Sequence, residues 1–170
     1  TRRQRQMCIR DRYADALNMK ISYYDPMVTN KKYKKFFKLT ELAKNVDILS
    51  IHVPHKKNTE NLIDSKILSC MKKNSFLINT SRGEILDWEA VLKYLKNSKL
   101  KGVAMDVFDG EFKTGFKKKI QNHPFLNYAK KNDNVILTPH IGGSTIESWQ
   151  MTEIETIKTV ENYLNIKKEL

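Results

Sequence analysis

Strand-like and helix-like segments alternate along this chain, and the alternation predicts an α/β fold built on a parallel sheet covered on both faces. Three observations carry the prediction. Apolar, β-branched runs such as 47–53 (DILSIHV) and 101–107 (KGVAMDV) lack polar alternation, as strands buried on both faces do. Segments with helical spacing and capping residues lie between them. Chemically capable side chains gather at the carboxyl ends of the strands, where open α/β sheets place their ligand crevice.

The elements follow in order. Residues 20–25 (KISYYD) predict a strand ended by Pro26. Residues 39–46 (LTELAKNV) predict a short helix with Thr40 as N-cap, and 47–53 a strand stopped by Pro54. Asp64 is expected to cap a helix through Met71. Residues 75–80 (SFLINT) form the next strand, and Asp87 caps a helix to about Asn97. The strands at 101–107 and 135–138 (VILT) complete the sheet. Ser144-x-x-Glu147 has the form of a capping box. It opens a long helix to about Asn165, with Ile146, Trp149, Ile157, Val160 and Leu164 on one face. The stretch 108–134 is too long for a plain connection and is expected to be functional or mobile.

Composition narrows the class. The 170 residues are 40% apolar and 29% charged, ordinary values for a globular protein. No apolar run approaches the roughly 18 to 20 residues of a membrane span. No secretory signal is visible. Cys8 and Cys70 have neither metal-ligand spacing nor a disulfide framework. That usage fits a reducing cytosol, so a cytoplasmic location is expected.

The charge of +12 hides two populations: five of the six arginines lie in the first twelve residues, and only Arg82 lies beyond them. Residues 1–12 are therefore expected to be a non-native head and are set aside. Without them the net charge is +8, from 26 basic and 18 acidic residues. The lysine clusters KKYKK (31–35) and KKK (117–119) are ordinary solvated surface or, alternatively, a polyanion site. Tyr33, Phe36 and Phe37 beside the first cluster keep nucleic-acid binding open as an alternative. An arginine retained in a lysine-using chain points to a need for guanidinium geometry at Arg82.

The strand ends carry Asp25, His52, the run 79–83 (NTSRG), Asp106 and the run 138–143 (TPHIGG). With YYDP (23–26), VDILSIHVP (46–54), MKKNSFLINTSRGEILD (71–87), KGVAMDVFDGE (101–111) and VILTPHIGGST (135–145), the chain resembles the D-isomer-specific 2-hydroxyacid dehydrogenases over residues 13–164. The resemblance implies a Rossmann-like, doubly wound parallel sheet and NAD as cofactor. It implies that Arg82, Glu111 and His140 are catalytic. It places Asp25 at the adenosine ribose and Asp106 near the nicotinamide carboxamide, with Val53, Pro54, Thr59, Thr80 and Gly143 along the cofactor groove. Hydride transfer between NAD and a D-2-hydroxy or 2-oxo acid, phosphoglycerate- or glycerate-like, a homodimer, and preference for NAD over NADP through Asp25 are the matching expectations. No membrane partner is expected.

The domain reading is of a partial NAD-binding domain over 13–150 and, over 151–170, a helix leading back towards a substrate domain. The glycine-rich phosphate loop belongs roughly 20 residues before the ribose acid. That count falls in the head, and the first glycine in the chain is Gly83. The fold is thus expected to be incomplete, without its first strand and glycine-rich loop, and inactive on its own. Two departures from the family are visible: Phe112 follows Glu111 where proline is usual, and the segment from Glu111 to His140 is long.

Each residue also has a plainer reading. Asp25 before Pro26 suits a turn, and Asp106 suits a turn acid. His52 and His55 in HVPH lack further ligands in register, so no metal is expected. His123 reads as solvated and Cys70 as buried apolar filler. An acid in a long loop, such as Glu111, is usually solvated. An NAD-sensing co-repressor-like module is a second functional reading, opposed by the joint retention of Arg82, Glu111 and His140. In the catalytic reading, histidine's ordinary pKa of about 6.5 suits His140 to general acid–base work. Glu111 would orient it, and Arg82 would grip the substrate carboxylate with two parallel hydrogen bonds.

Overall fold

The structure is a computed structural model that describes residues 2–164. Thr1 and residues 165–170, with the expected helix end at Asn165, lie outside the described residues. The described chain opens with helix α1 (Arg2–Ala16), so the arginine-rich head runs into the following segment as one element. Strands β1 (Ser22–Tyr23) and β2 (Lys34–Lys35) then pair in parallel as a small separate sheet. The strand expected over 20–25 is therefore two residues long and stands apart from the main sheet. Asp25 and Pro26 end it in a turn, where Asp25 Oδ1 accepts from the amides of Met27 and Val28 at 2.8 and 2.9 Å. Nothing in the KKYKK run predicts β2, since lysine has little strand preference. It forms because the chain returns alongside β1, with the Phe36 amide donating to the Tyr23 carbonyl at 2.8 Å.

Helix α2 (Leu39–Asn45) leads into β3 (Ile48–Ile51). Its N-cap is Lys38, in extended conformation and without a side-chain bond, so Thr40 lies inside the helix and caps nothing. Helix α3 (Ser65–Cys70) starts at Asp64, whose carboxylate accepts from the Ile67 amide at 2.8 Å. Strand β4 (Ser75–Asn79) passes through a 3₁₀ turn at Gly83–Ile85 into α4 (Trp88–Lys96). Asp87 caps α4 by accepting from the Ala90 amide at 3.0 Å. Strand β5 (Leu100–Met105), helices α5 (Phe116–Gln121) and α6 (Pro124–Ala129), strand β6 (Val135–Leu137) and helix α7 (Ile146–Tyr163) complete the chain. Helix α7 is capped by Thr145, which accepts from the Ser148 amide at 3.1 Å, one residue later than the expected capping box.

The main sheet has the order β3-β4-β5-β6, all parallel. Leu49, Ile51, Leu77, Val103 and Met105 point from it into a core shared with Leu42, Ala43, Leu68, Val91 and Leu95 of the helices. The other sheet face differs from expectation. Ile48, Phe76 and Ile136 are 36%, 38% and 64% exposed, and α7 buries none of its residues. Its stripe of Ile146, Trp149, Ile157, Val160 and Leu164 faces outward. Among the described residues, one helical layer covers the sheet and the second face is open.

The stretch 108–134 is folded rather than loose. Pro124 begins α6, where its missing amide hydrogen costs nothing. Phe125 is fully buried against Trp88 and Phe108. His123 is correspondingly half-buried rather than solvated. Its ring meets Phe108 and Trp88 edge-on at 4.9 and 5.9 Å, and Nδ1 accepts from the Phe125 amide at 3.3 Å. Burial holds its pKa below the ordinary imidazole value; Lys119 pushes the same way and Asp109 opposes. The unfolded chain then binds a proton more readily than the folded one. Stability from this site is complete above about pH 6.5 and is lost as pH falls towards the depressed folded value. Thermal melts from pH 7.5 to 5 are expected to show this loss, and His123→Gln is expected to flatten it. An unchanged pH slope in the variant would remove His123 as the cause.

Candidate active site

His140 and Glu111 come together at the carboxyl edge of the main sheet. His140 Nδ1 lies 2.7 Å from Glu111 Oε1, with the two side chains 36% and 12% exposed. The second carboxylate oxygen, Oε2, accepts from the Phe108 amide at 3.2 Å. Glu111 is thus fixed at both oxygens, and an acid in a long segment becomes a half-buried partner for the imidazole.

The backbone at His140 is left-handed, with φ of +56°. A non-glycine residue holds that conformation only where its surroundings impose it. Asp106 imposes it here. Oδ1 accepts from the Thr138 hydroxyl and from the Ile141 amide at 2.9 Å, and Oδ2 accepts from the Gly142 amide at 2.8 Å. A side chain at Gly142 would set a Cβ 2.8 Å from that same oxygen, so the close approach requires glycine. Burial alone would raise the Asp106 pKa. The bonds from Thr138, Gly142 and Ile141, with the charge of His140, outweigh it and hold the carboxyl below its ordinary value. Both oxygens serve the protein's own loop, which makes Asp106 a positioning residue for His140.

The turn after β4 is built the same way. Asn79 is fully buried; its Oδ1 accepts from the Ser81 amide at 3.0 Å and its Nδ2 donates to the Arg82 carbonyl at 2.9 Å. The Ser81 hydroxyl donates to the Val53 carbonyl, tying this turn to the end of β3. Arg82 is exposed, and Nη1 donates to the Ser81 carbonyl at 2.6 Å. At Gly83 a Cβ would stand 2.1 Å from the Phe108 carbonyl carbon and the Asp109 nitrogen. Two backbones therefore touch where only glycine fits. Trp88 Nε1 donates to the Gly83 carbonyl at 3.0 Å, and its ring stacks on Phe108 at 4.2 Å. The Arg82 turn is thus braced against the loop that carries Glu111, although the Arg82 side chain contacts neither member of the pair among the described residues.

The expected cofactor residues lie in the segments that follow the strands of the two sheets. Val53 and Pro54 are half-buried at the end of β3, and Thr80 is exposed at the end of β4. Thr59 is occupied locally, donating to the Pro54 carbonyl at 2.7 Å and accepting from the Lys56 amide at 2.8 Å. Gly143 is exposed, with open space where a Cβ would stand. Asp25 has Oδ1 committed to its turn, and Oδ2 has no hydrogen bond among the described residues. His52 Nε2 lies 2.7 Å from the Ser50 hydroxyl. No cluster of three histidine, cysteine or acidic side chains able to hold a metal exists among the described residues. No described helix is long and apolar enough to cross a membrane.

A cavity of about 570 Å³ opens beside the pair and is lined by Phe108, Phe112, Phe116, Ile120, Leu126 and Leu137 together with Glu111 and His140. Sequence reasoning passed over it, although Phe112, Phe116 and Ile120 recur at four-residue spacing within a lysine-rich stretch. Asn79 and Gly83 were equally legible within the NTSRG motif, but only tertiary contacts show what they hold.

Residues 10–142 match the family model described as "D-isomer specific 2-hydroxyacid dehydrogenase, NAD binding domain". The chain belongs to the D-isomer-specific 2-hydroxyacid dehydrogenase family. The D-3-phosphoglycerate dehydrogenase of Haemophilus influenzae is 38% identical over 139 residues, covering 79% of this chain and 32% of that protein. The D-specific alpha-keto acid dehydrogenase of Enterococcus faecalis is 38% identical over 138 residues, 79% of this chain and 42% of that protein. Among solved structures, the Aquifex aeolicus D-lactate dehydrogenase complexed with NAD and lactic acid superposes with a TM-score of 0.76 at 32% identity, over 90% of this chain and 48% of that one. The chain spans between about a third and two fifths of the length of these two curated relatives. The likeness confirms the α/β class, the parallel sheet and the NAD-binding-domain assignment.

Proposed function

We propose that the protein carrying this chain interconverts a D-2-hydroxy acid and its 2-oxo acid, with NAD as redox partner. The observation that carries the reading is the 2.7 Å contact between His140 and Glu111 on a loop locked by Asp106. The residues present suit NAD at its two ends. Asp25 offers a free carboxylate oxygen to a ribose, and Gly143 leaves open space for close approach. Val53, Pro54, Thr59 and Thr80 would line the groove between them. Bound NAD supplies or accepts the hydride.

The chain's own residues handle the proton and the carboxylate. With Nδ1 held by Glu111, His140 has Nε2 left to take the hydroxyl proton on oxidation and return it on reduction. Glu111 fixes the ring orientation and stabilises the imidazolium that forms. Arg82 presents a forked cation to the substrate carboxylate. A sensing module would need no acid–base pair, and this pair is built with both carboxylate oxygens engaged.

Arg82→Lys tests the assignment. Asn79, Ser81 and Gly83 hold the turn, and the Arg82 side chain adds one bond to the Ser81 carbonyl. Replacing a fork by a point charge is expected to raise the substrate KM and lower kcat/KM at least about tenfold, the loss of one charge-assisted hydrogen bond. Melting temperature and NADH affinity are expected to hold. A lowered melting temperature with unchanged kinetics would instead make Arg82 a brace of the turn.

A further inference from the structure

The cavity beside the acid–base pair says which 2-oxo acids suit the site. We propose that it receives the substrate's side chain and that this side chain is apolar, branched aliphatic or aromatic, rather than phosphorylated; the proposal rests on the dehydrogenase reading. A substrate whose oxygen exchanges a proton with His140 must place C2 beside that ring. The group attached to C2 then needs space next to it. The cavity supplies about 570 Å³ and is walled by Phe108, Phe112, Phe116, Ile120, Leu126 and Leu137. Volumes of this order hold small organic ligands.

Charge decides between side-chain classes. The polar members of the lining are Glu111, Thr138 and His140, and neither lysine nor arginine is among them. A phosphate entering this space would lose its water, meet no cation other than a protonated His140, and approach the carboxylate of Glu111. An apolar group loses nothing comparable and gains about fourfold in affinity per buried methylene. Phe112 adds a second marker. Its ring stands 5.7 Å from the His140 ring, tilted by 57°, so an aromatic wall lies against the imidazole itself.

The experiment compares glyoxylate, pyruvate, 4-methyl-2-oxopentanoate, phenylpyruvate and 3-phosphohydroxypyruvate. Turnover with NADH is measured, and binding of each acid is followed by calorimetry. The two larger apolar acids are expected to exceed pyruvate in kcat/KM, and 3-phosphohydroxypyruvate to fall below it, each by at least tenfold. Ile120→Trp narrows the cavity. It is expected to lower the ratio of kcat/KM for phenylpyruvate to that for glyoxylate at least tenfold. Phe112→Glu, at a position that is 78% exposed, is expected to move the ratio the same way if Ile120→Trp does not fold. Preference for the phosphorylated acid, or an unmoved ratio in the folded variants, overturns the pocket and leaves the dehydrogenase reading standing. Binding of phenylpyruvate that weakens in Ile120→Trp, without turnover of any acid, supports the cavity as an apolar-acid site and overturns the dehydrogenase reading. Absence of both binding and turnover overturns both.

Discussion

His140→Asn is expected to lower kcat by about 10² to 10⁴, the range a positioned acid–base group supplies. Asparagine is the informative replacement because His140 sits at φ +56°, a conformation asparagine tolerates better than most residues. The turn and its bonds to Asp106 should therefore survive, and NADH affinity and melting temperature should match the parent. Steady-state kinetics, NADH titration and a thermal melt on one preparation check this. Near-normal turnover in a folded variant would reduce His140 to a turn residue.

Gly83→Ala is expected to damage fold and site together. The new methyl would stand 2.1 Å from two backbone atoms of Phe108 and Asp109, and backbone cannot swing aside as a side chain can. Overpacking of this kind costs about 1–3 kcal/mol or more. At roughly 2–4 °C per kcal/mol for a chain of this size, the melting temperature should fall by several degrees. Because the displaced backbone runs directly into Glu111, kcat should fall in the fraction that remains folded. Gly143→Ala is the control: nothing lies within 4 Å of a Cβ there, so its melting temperature should hold. Equal stability of the two variants would contradict the close approach.

Local chemistry made part of this architecture readable. Asp64 and Asp87 cap where their spacing placed them, because a cap is a contact between near neighbours. The cap expected at Thr40 lies at Lys38, where backbone placement outranked side-chain preference, and the one expected at Ser144 lies one residue on at Thr145, whose hydroxyl makes the same kind of bond. His123 was misread because the rings that bury it, Trp88 and Phe108, lie 35 and 15 positions away in sequence. Helix α6 carried a signal in Pro124, but the lysine-rich setting masked it. In the site, His140 and Glu111 were legible as a pair through their motifs. The left-handed turn and the triple grip of Asp106 were not, since both depend on how β5 and β6 lie side by side.

That adjacency sets an order of events under stress. β6 joins the sheet through three residue pairs and sits at its edge, whereas β4 and β5 are paired on both sides. Edge elements with few partners open at lower free energy than the core around them. His140 follows directly from this strand, and its partner Glu111 is moored to Phe108 in the core. Asp106 works as a latch across the seam, clasping Thr138, Ile141 and Gly142. When the latch slips, the contact between His140 and Glu111 opens while the buried centre is still intact. Loss of that contact on heating is then a report on one edge strand, and loss of helical signal, some degrees later, a report on the rest.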